Sequence, residues 1–167
     1  MSKPVTPSII DVEASGLGPD SYPIEVGVAL GNGGRFCTLI KPQPGWTHWD
    51  ESAEEVHQIP RPLLDNYGRS TPEVAQLLNE QLIGVVVYTD GWTVDKPWLS
   101  KLFEAAGVGM NFEVQPLERI LSPEQQAVWH ETKDRIIEDT KITRHRASHD
   151  AWLIQETYRH TAIASVA

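Results

Sequence analysis

The sequence has a single cysteine, no long apolar run and few basic residues, and each scarcity excludes a class of protein. One cysteine, Cys37, cannot form an internal disulfide framework or a four-cysteine zinc site. The longest apolar runs, such as residues 83–88, are far too short to cross a bilayer. Residues 1–7 lack the apolar region of a signal peptide, so we expect a cytoplasmic protein without a membrane partner.

The charge balance is acidic, with 14 Lys and Arg against 23 Asp and Glu and a net charge of −9. Long duplex DNA is usually held through general neutralisation of its phosphates, and this composition argues against that kind of binding. A bound metal ion can still reverse the sign of a small site. The sequence therefore leaves open what its many carboxylates do.

The length of 167 residues is typical of one domain, and no repeat or Ser/Gly linker divides the chain, so we expect a single domain over residues 1–167. Turn residues and apolar periodicity predict five strands and five helices. The strands are predicted at 8–13, 24–30, 35–40, 85–88 and 112–117, and the helices at 50–57, 71–83, 95–106, 123–138 and 147–161. A strand-rich start followed by strand–helix alternation predicts an α/β fold, a mixed five-stranded sheet flanked by helices.

Asp11 and Glu13 are the first candidate site residues. Residues two apart on a strand share a face, so both carboxylates point the same way among apolar neighbours. Carboxylate oxygens suit Mg²⁺ or Mn²⁺. The alternative is an edge strand that carries two solvated acids.

Asp95, His145 and Asp150 are further candidates, and each has an ordinary alternative. Asp95 follows a predicted strand, where open α/β sheets place their sites, yet a helix N-cap explains it equally well. Asp150 could be a first-turn acid that interacts favourably with the dipole of the last helix, and His145 could be a surface loop residue. Only their combined order and spacing favours one shared site.

These residues resemble the three motifs of the DEDDh 3′–5′ exonucleases, which include polymerase proofreading subunits, RNase T and oligoribonuclease. The matching pattern is Asp11-x-Glu13, then Asp95, then His145 followed five residues later by Asp150. Residues 23–30, 53–59 and 144–147 also resemble that family. The resemblance covers most of the chain and implies a ribonuclease H-like fold.

The resemblance implies a two-metal mechanism in which Asp11, Glu13, Asp95 and Asp150 hold two Mg²⁺ or Mn²⁺ ions. Glu13 would also lie near the 3′-hydroxyl, and His145 would act as general base toward the attacking water. The products would be nucleoside 5′-monophosphates from the 3′ end of single-stranded DNA, RNA or short oligonucleotides. Family members are often dimers, so a homodimer is a further expectation.

Substrate contacts are expected from five residues: Ser15, Leu17, His57, Trp92 and Arg146. Leu17 and His57 lie where members of this family contact the last nucleotides, and Trp92 could stack on an unpaired base. Two departures affect this expectation. Ala14-Ser15-Gly16 stands where the family usually has Thr-Thr-Gly or Met-Thr-Gly, and Asp90-Gly91 stands where an asparagine is common.

Aromatic and basic residues offer less specific signals. Trp46 and Trp49 could stack on unpaired bases, whereas helical spacing places three other tryptophans in the core: Trp98, Trp129 and Trp152. Basic residues gather late in the chain and could guide a phosphate backbone: Lys133, Arg135, Lys141, Arg144, Arg146 and Arg159. A solvated helix face with pairs such as Glu131–Arg135 explains them equally well.

Three rival functions remain. One is a catalytically degenerate exonuclease-like domain that binds nucleic acid or protein. A second is a Mg²⁺-dependent phosphatase with Asp11 as nucleophile, although such enzymes usually have Asp-x-Asp. A third is a zinc protein that uses His145, His149 and His160.

Overall fold

The predicted mixed sheet is present in the computed structural model, which describes residues 5–166 and side chains through residue 164. Its strand order is β3-β2-β1-β4-β5, with β1 antiparallel to β2, β2 antiparallel to β3, and β4 parallel to both β1 and β5. The strands are β1 Ser8–Ala14, β2 Pro23–Ala29, β3 Arg35–Leu39, β4 Val86–Thr89 and β5 Glu113–Pro116. The central position of β1 places its carboxyl end beside that of β4.

Helices cover both faces of this sheet: α1 Glu51–His57, α2 Arg61–Tyr67, α3 Thr71–Leu82, α4 Trp92–Ala106, α5 Pro123–Thr140 and α6 Ala147–Val166. Ser122 caps α5 in a reciprocal capping box with Gln125. The short α2 was not predicted, and α4 begins at Trp92 rather than at Asp95. No helix of residues 5–166 is both long enough and apolar enough to span a membrane.

Two apolar clusters pack against the sheet, one on each face. Ile10 and Val12 pack with buried residues of α3 and α4 on one face. Ile9 packs on the opposite face with Trp129 of α5 and Ile154 of α6. Because side chains alternate along β1, Asp11 and Glu13 lie on the same face as Ile9, toward α6.

The β1–β2 register leaves room for α6 at this position. Asp11 pairs with Gly27 and Glu13 pairs with Glu25 across the two strands. A Cβ at Gly27 would lie 2.2 Å from the backbone nitrogen of Ser148. The absence of a side chain therefore lets the first turn of α6 rest on the sheet beside the carboxylates.

Candidate metal centre

Three predicted ligands meet at the end of β1. One carboxylate oxygen from each of Asp11, Glu13 and Asp150 lies within 4.8 Å of the other two. Asp11 and Glu13 come from the strand, whereas Asp150 comes from the first turn of α6. The tertiary fold thus joins residues that are well over a hundred positions apart in the sequence.

The donor set fits a hard divalent cation. All three groups offer carboxylate oxygen, the ligand that Mg²⁺ and Mn²⁺ prefer. The Oδ2 atom of Asp11 is buried and has no hydrogen-bond partner among the residues that the structure describes. Burial of a carboxylate oxygen without a hydrogen-bond donor costs folding free energy unless a bound cation compensates its charge.

Asp95 lies beside this cluster rather than within its 4.8 Å group. It is in the first turn of α4, and Gly91 is the N-cap, so the N-cap alternative for Asp95 is wrong. Asp95 is only 3% exposed, and its Oδ2 accepts a hydrogen bond of 2.5 Å from the Thr89 hydroxyl at the end of β4. Burial raises the pKa of Asp95 to about 7, although the Thr89 hydroxyl opposes that rise.

Burial, together with the crowding of negative charge, also raises the pKa of the strand carboxylates. Burial, followed by the charges of Asp95 and Glu13, raises the pKa of Asp11 well above its ordinary value. Burial, followed by the charges of Asp150 and Glu25, raises the pKa of Glu13 to about 8. Each of these carboxyl groups therefore holds its proton more tightly than an isolated one, and a bound cation would oppose that effect.

Asp150 is oriented by the loop that precedes α6. Its Oδ1 accepts from Arg144 Nε at 2.9 Å, and the His145 backbone nitrogen lies 3.2 and 3.1 Å from its two oxygens. His145 adopts a positive φ of 63°, uncommon for a residue with a side chain. Its ring is 47% exposed, with Nδ1 4.0 Å from Asp150 Oδ2. The structure thus places the predicted base at the solvent edge of the cluster.

A pocket of about 260 Å³ adjoins the carboxylates. Glu13 lines it together with apolar residues from the turn after β1, from α1 and from α4, including Leu17, Val56 and Trp98. Leu17 is 83% exposed at the rim. Exposed apolar side chains around a concave site are typical of ligand-binding surfaces.

His57 also lines this pocket but is otherwise buried. Its Nδ1 accepts a hydrogen bond of 3.0 Å from the Ile59 backbone, so the proton of the neutral ring is assigned to Nε2. Burial lowers the pKa of His57, which favours that neutral form. Nε2 is buried without a hydrogen-bond partner among the described residues, so this donor is unsatisfied there.

The remaining predicted substrate residues differ in accessibility. Trp92 is partly exposed at the first position of α4. Ser15 is fully buried, and its hydroxyl accepts from the Tyr22 backbone at 3.1 Å. Arg146 engages Glu25 through Nε and Nη2. Ser15 and Arg146 thus have structural partners, and their substrate contacts stay predictions.

The tryptophans proposed for stacking are engaged within the protein. Trp46 stacks on Tyr22 with ring centroids 5.3 Å apart, and Trp49 makes an edge contact with His57. Of the expected core tryptophans, Trp129 is buried and Trp98 packs against the α3–α4 cluster. Trp152 instead lies beneath Arg35, whose guanidinium carbon is 5.6 Å from its ring.

Four members of the late basic group pair with acids, which reduces the positive edge that the sequence suggested. The pairs are Arg135–Glu131, Arg144–Asp150, Arg146–Glu25 and Arg159–Glu156. The three histidines of the zinc alternative do not form a metal-binding group within the described part of the chain. Sequence reasoning also missed Glu25, because its role depends on a partner 121 positions away.

Three solved structures share the fold of this chain at low sequence identity. Exonuclease I from Methylocaldum szegediense has a TM-score of 0.68 and 13% identity over 91% of this chain and 39% of its own. A zinc-bound complex of E. coli exonuclease I with single-stranded DNA has a TM-score of 0.68 and 12% identity over 94% of this chain and 40% of its own. The nuclease domain of 3′hExo, a DEDDh family member bound to rAMP, has a TM-score of 0.64 and 13% identity over 94% and 91%.

No protein-family model and no curated protein matches the sequence. The chain spans about two-fifths of the exonuclease I chains. Identities this low show the fold alone, and the mixed five-stranded sheet with flanking helices is the ribonuclease H-like fold of these exonucleases.

Proposed function

We propose that this chain is a metal-dependent 3′–5′ exonuclease that removes nucleoside 5′-monophosphates from single-stranded DNA, RNA or short oligonucleotides. The observation that carries the proposal is the convergence of Asp11, Glu13 and Asp150, with Asp95 beside them, at the carboxyl end of β1. The direction of degradation rests on the DEDDh resemblance and on the fold shared with exonucleases. A single domain, a cytoplasmic location and a homodimer remain predictions.

Asp11, Glu13, Asp95 and Asp150 would hold two Mg²⁺ or Mn²⁺ ions. When bound, such ions polarise a phosphodiester and compensate the negative charge that develops on its oxygens. Glu13 belongs both to the carboxylate cluster and to the apolar pocket, so a nucleotide in the pocket has its phosphate or sugar close to the carboxylates. Binding in the pocket thus orients the bond to be broken.

His145 is the proposed general base. Its Nδ1 faces Asp150, which leaves Nε2 to accept the proton of the attacking water. The positive φ of His145 and the hydrogen bond from its backbone nitrogen to Asp150 fix the direction in which its ring projects from the backbone. The partial exposure of the ring lets it release the proton to solvent between turnovers.

The pocket favours an unpaired terminal nucleotide. Leu17 and Val56 offer apolar contact to a base, and His57, which lines the same pocket, is the proposed polar contact. The net charge of −9 argues against a broad grip on duplex phosphates. The single-stranded DNA bound by E. coli exonuclease I and the rAMP bound by 3′hExo are consistent with such a substrate.

The test is a time course with 5′-labelled oligonucleotides and Mn²⁺ or Mg²⁺. Single-stranded DNA, single-stranded RNA and a duplex with a 3′ overhang are compared in parallel. We expect a descending ladder from unpaired 3′ ends and nucleoside 5′-monophosphates among the products. Asp11→Ala is expected to abolish the ladder, whereas Asp20→Ala, in the exposed turn after β1, should leave it intact.

Absence of the ladder with both metals would reject the activity, and an intact ladder from Asp11→Ala would reject the site. The degenerate-domain alternative predicts oligonucleotide binding without shortening. Its signature is a stable complex in the presence of Mn²⁺, with input and recovered oligonucleotide of the same length.

A further inference from the structure

Glu25 is a buried carboxylate that does not belong to the proposed ligand set. It lies on β2 directly opposite Glu13 and is 1% exposed. Its Oε2 accepts from Arg146 Nη2 at 2.7 Å and from Nε at 3.1 Å, and its Oε1 accepts from the Ala147 backbone nitrogen at 2.7 Å. A buried carboxylate satisfied in this way has a fixed position.

These contacts join the sheet to the start of α6. Ala147 is the first residue of α6, so Glu25 compensates the partial positive charge at that helix terminus. The carbonyl oxygen of Arg146 in turn accepts a hydrogen bond of 2.9 Å from the Asp150 backbone nitrogen. Glu25 is thus connected to Asp150 through Arg146 and one turn of backbone.

Asp150 is the member of the carboxylate cluster that β1 does not supply. Its separation from Asp11 and Glu13 therefore depends on where α6 rests against the sheet. Gly27 permits the close approach, because any side chain there would meet the backbone at Ser148. Gly27 thus permits the close packing of the helix, and Glu25 bonds directly to the residues at its start.

We infer that Glu25 is a positioning residue for the metal centre, because it holds the first turn of α6 where Asp150 meets Asp11 and Glu13. This inference rests on the proposed function in so far as the cluster binds a divalent cation. A competing explanation is that Glu25 and Arg146 affect the cation only through their charges. The two explanations predict different signs for the same substitutions.

The test is calorimetric titration with Mn²⁺ alone, without oligonucleotide, on the full chain. Positioning predicts that Glu25→Gln and Arg146→Met both weaken Mn²⁺ binding, by about 10-fold or more, as for other groups that orient metal ligands. A pure charge effect predicts opposite shifts, because one variant removes a negative charge and the other a positive one. Omitting nucleic acid separates this result from any contact of Arg146 with substrate.

Arg159→Met is the matched control. Arg159 lies on α6, is half-exposed and pairs with Glu156, so its loss changes the net charge as Arg146→Met does. It is thirteen positions beyond Arg146, which is about 20 Å at 1.5 Å per helical residue. We expect its Mn²⁺ affinity to stay within about twofold of the native value.

Arg146→Lys supplies a second distinction. Lysine keeps the charge but lacks the planar fork that matches a carboxylate. Positioning predicts weaker Mn²⁺ binding in this variant, whereas a charge effect predicts native affinity. The Arg146 side chain is 41% exposed, so both Arg146 variants test the inference even if Glu25→Gln does not fold.

The titrations distinguish a failure of the proposed function from a failure of the positioning role. If the native protein binds no Mn²⁺, the proposed function fails and this inference fails with it. If the native protein binds Mn²⁺ and Glu25→Gln and Arg146→Met shift the affinity in opposite directions, or leave it within twofold, the positioning role is overturned while the proposed function stands.

Discussion

Replacement of Asp95 by asparagine should stabilise the metal-free protein at high pH. Asp95 is 3% exposed, and burial raises its pKa from 3.8 to about 7. A carboxyl group whose pKa is higher in the folded state binds its proton more tightly there. Folding is therefore disfavoured progressively as the pH rises from about 4 to 7, and the full penalty applies above pH 7.

The magnitude follows from the difference of about three between the two pKa values, which corresponds to about 4 kcal/mol. Asparagine carries no charge, and its amide oxygen can still accept the Thr89 hydroxyl. With chelator present, we expect the Asp95→Asn protein to be more stable than the native one by up to about 4 kcal/mol at pH 9. Near pH 4 the two should agree within about 1 kcal/mol.

Urea unfolding at several pH values measures this difference, with Asp20→Asn as a control for removal of an exposed carboxylate. Added Mn²⁺ should narrow the difference, because the native protein gains about 2.7 kcal/mol at a metal concentration 100 times its dissociation constant. The reasoning is refuted if Asp95→Asn lowers stability equally at pH 4 and pH 9.

Three further substitutions test the surroundings of the site. Thr89→Val removes the hydrogen bond to Asp95, which raises the pKa of that carboxyl further. Calorimetry should therefore show Mn²⁺ affinity reduced about tenfold at pH 7 and by a smaller factor at pH 9. An equal loss of affinity at both pH values contradicts this prediction. Gly27→Ala forces a methyl group against the Ser148 backbone and should lower the free energy of unfolding by about 3 kcal/mol. A change below about 1 kcal/mol contradicts the close approach of α6 to β2. Leu17→Ala removes an exposed side chain, so the free energy of unfolding should stay within about 0.5 kcal/mol of the native value. The KM for a single-stranded oligonucleotide should rise several-fold. An unchanged KM excludes contact between Leu17 and the substrate.

Local signals in the sequence predicted much of the architecture correctly. The glycines at 31–34 form the expected hairpin between β2 and β3, with Gly33 at a φ of 95°. Ser122 followed by Pro123 begins α5 as expected, because the serine accepts a backbone hydrogen bond and proline tolerates the first helical turn. Such features depend on neighbours in the chain, which the sequence displays.

Features that depend on distant partners were predicted less well. The start of α4 was placed three residues late, because Trp92, Thr93 and Val94 are poor helix formers on their own. Alternation on a strand predicted that Asp11 and Glu13 share a face, and the structure agrees. Their proximity to Asp150 could be expected only from the family resemblance, because it depends on the packing of α6 against β2.

The release of label from a single-stranded oligonucleotide labelled at both ends, followed over a range of Mn²⁺ concentrations, tests the central claim most directly. The proposed site predicts that the 3′ label leaves first, that its rate rises with Mn²⁺ to a plateau, and that the 5′ label stays on progressively shorter products. Asp11→Ala should release neither label. Release of the 5′ label first, simultaneous release of both, or release at the same rate in chelator would contradict the account.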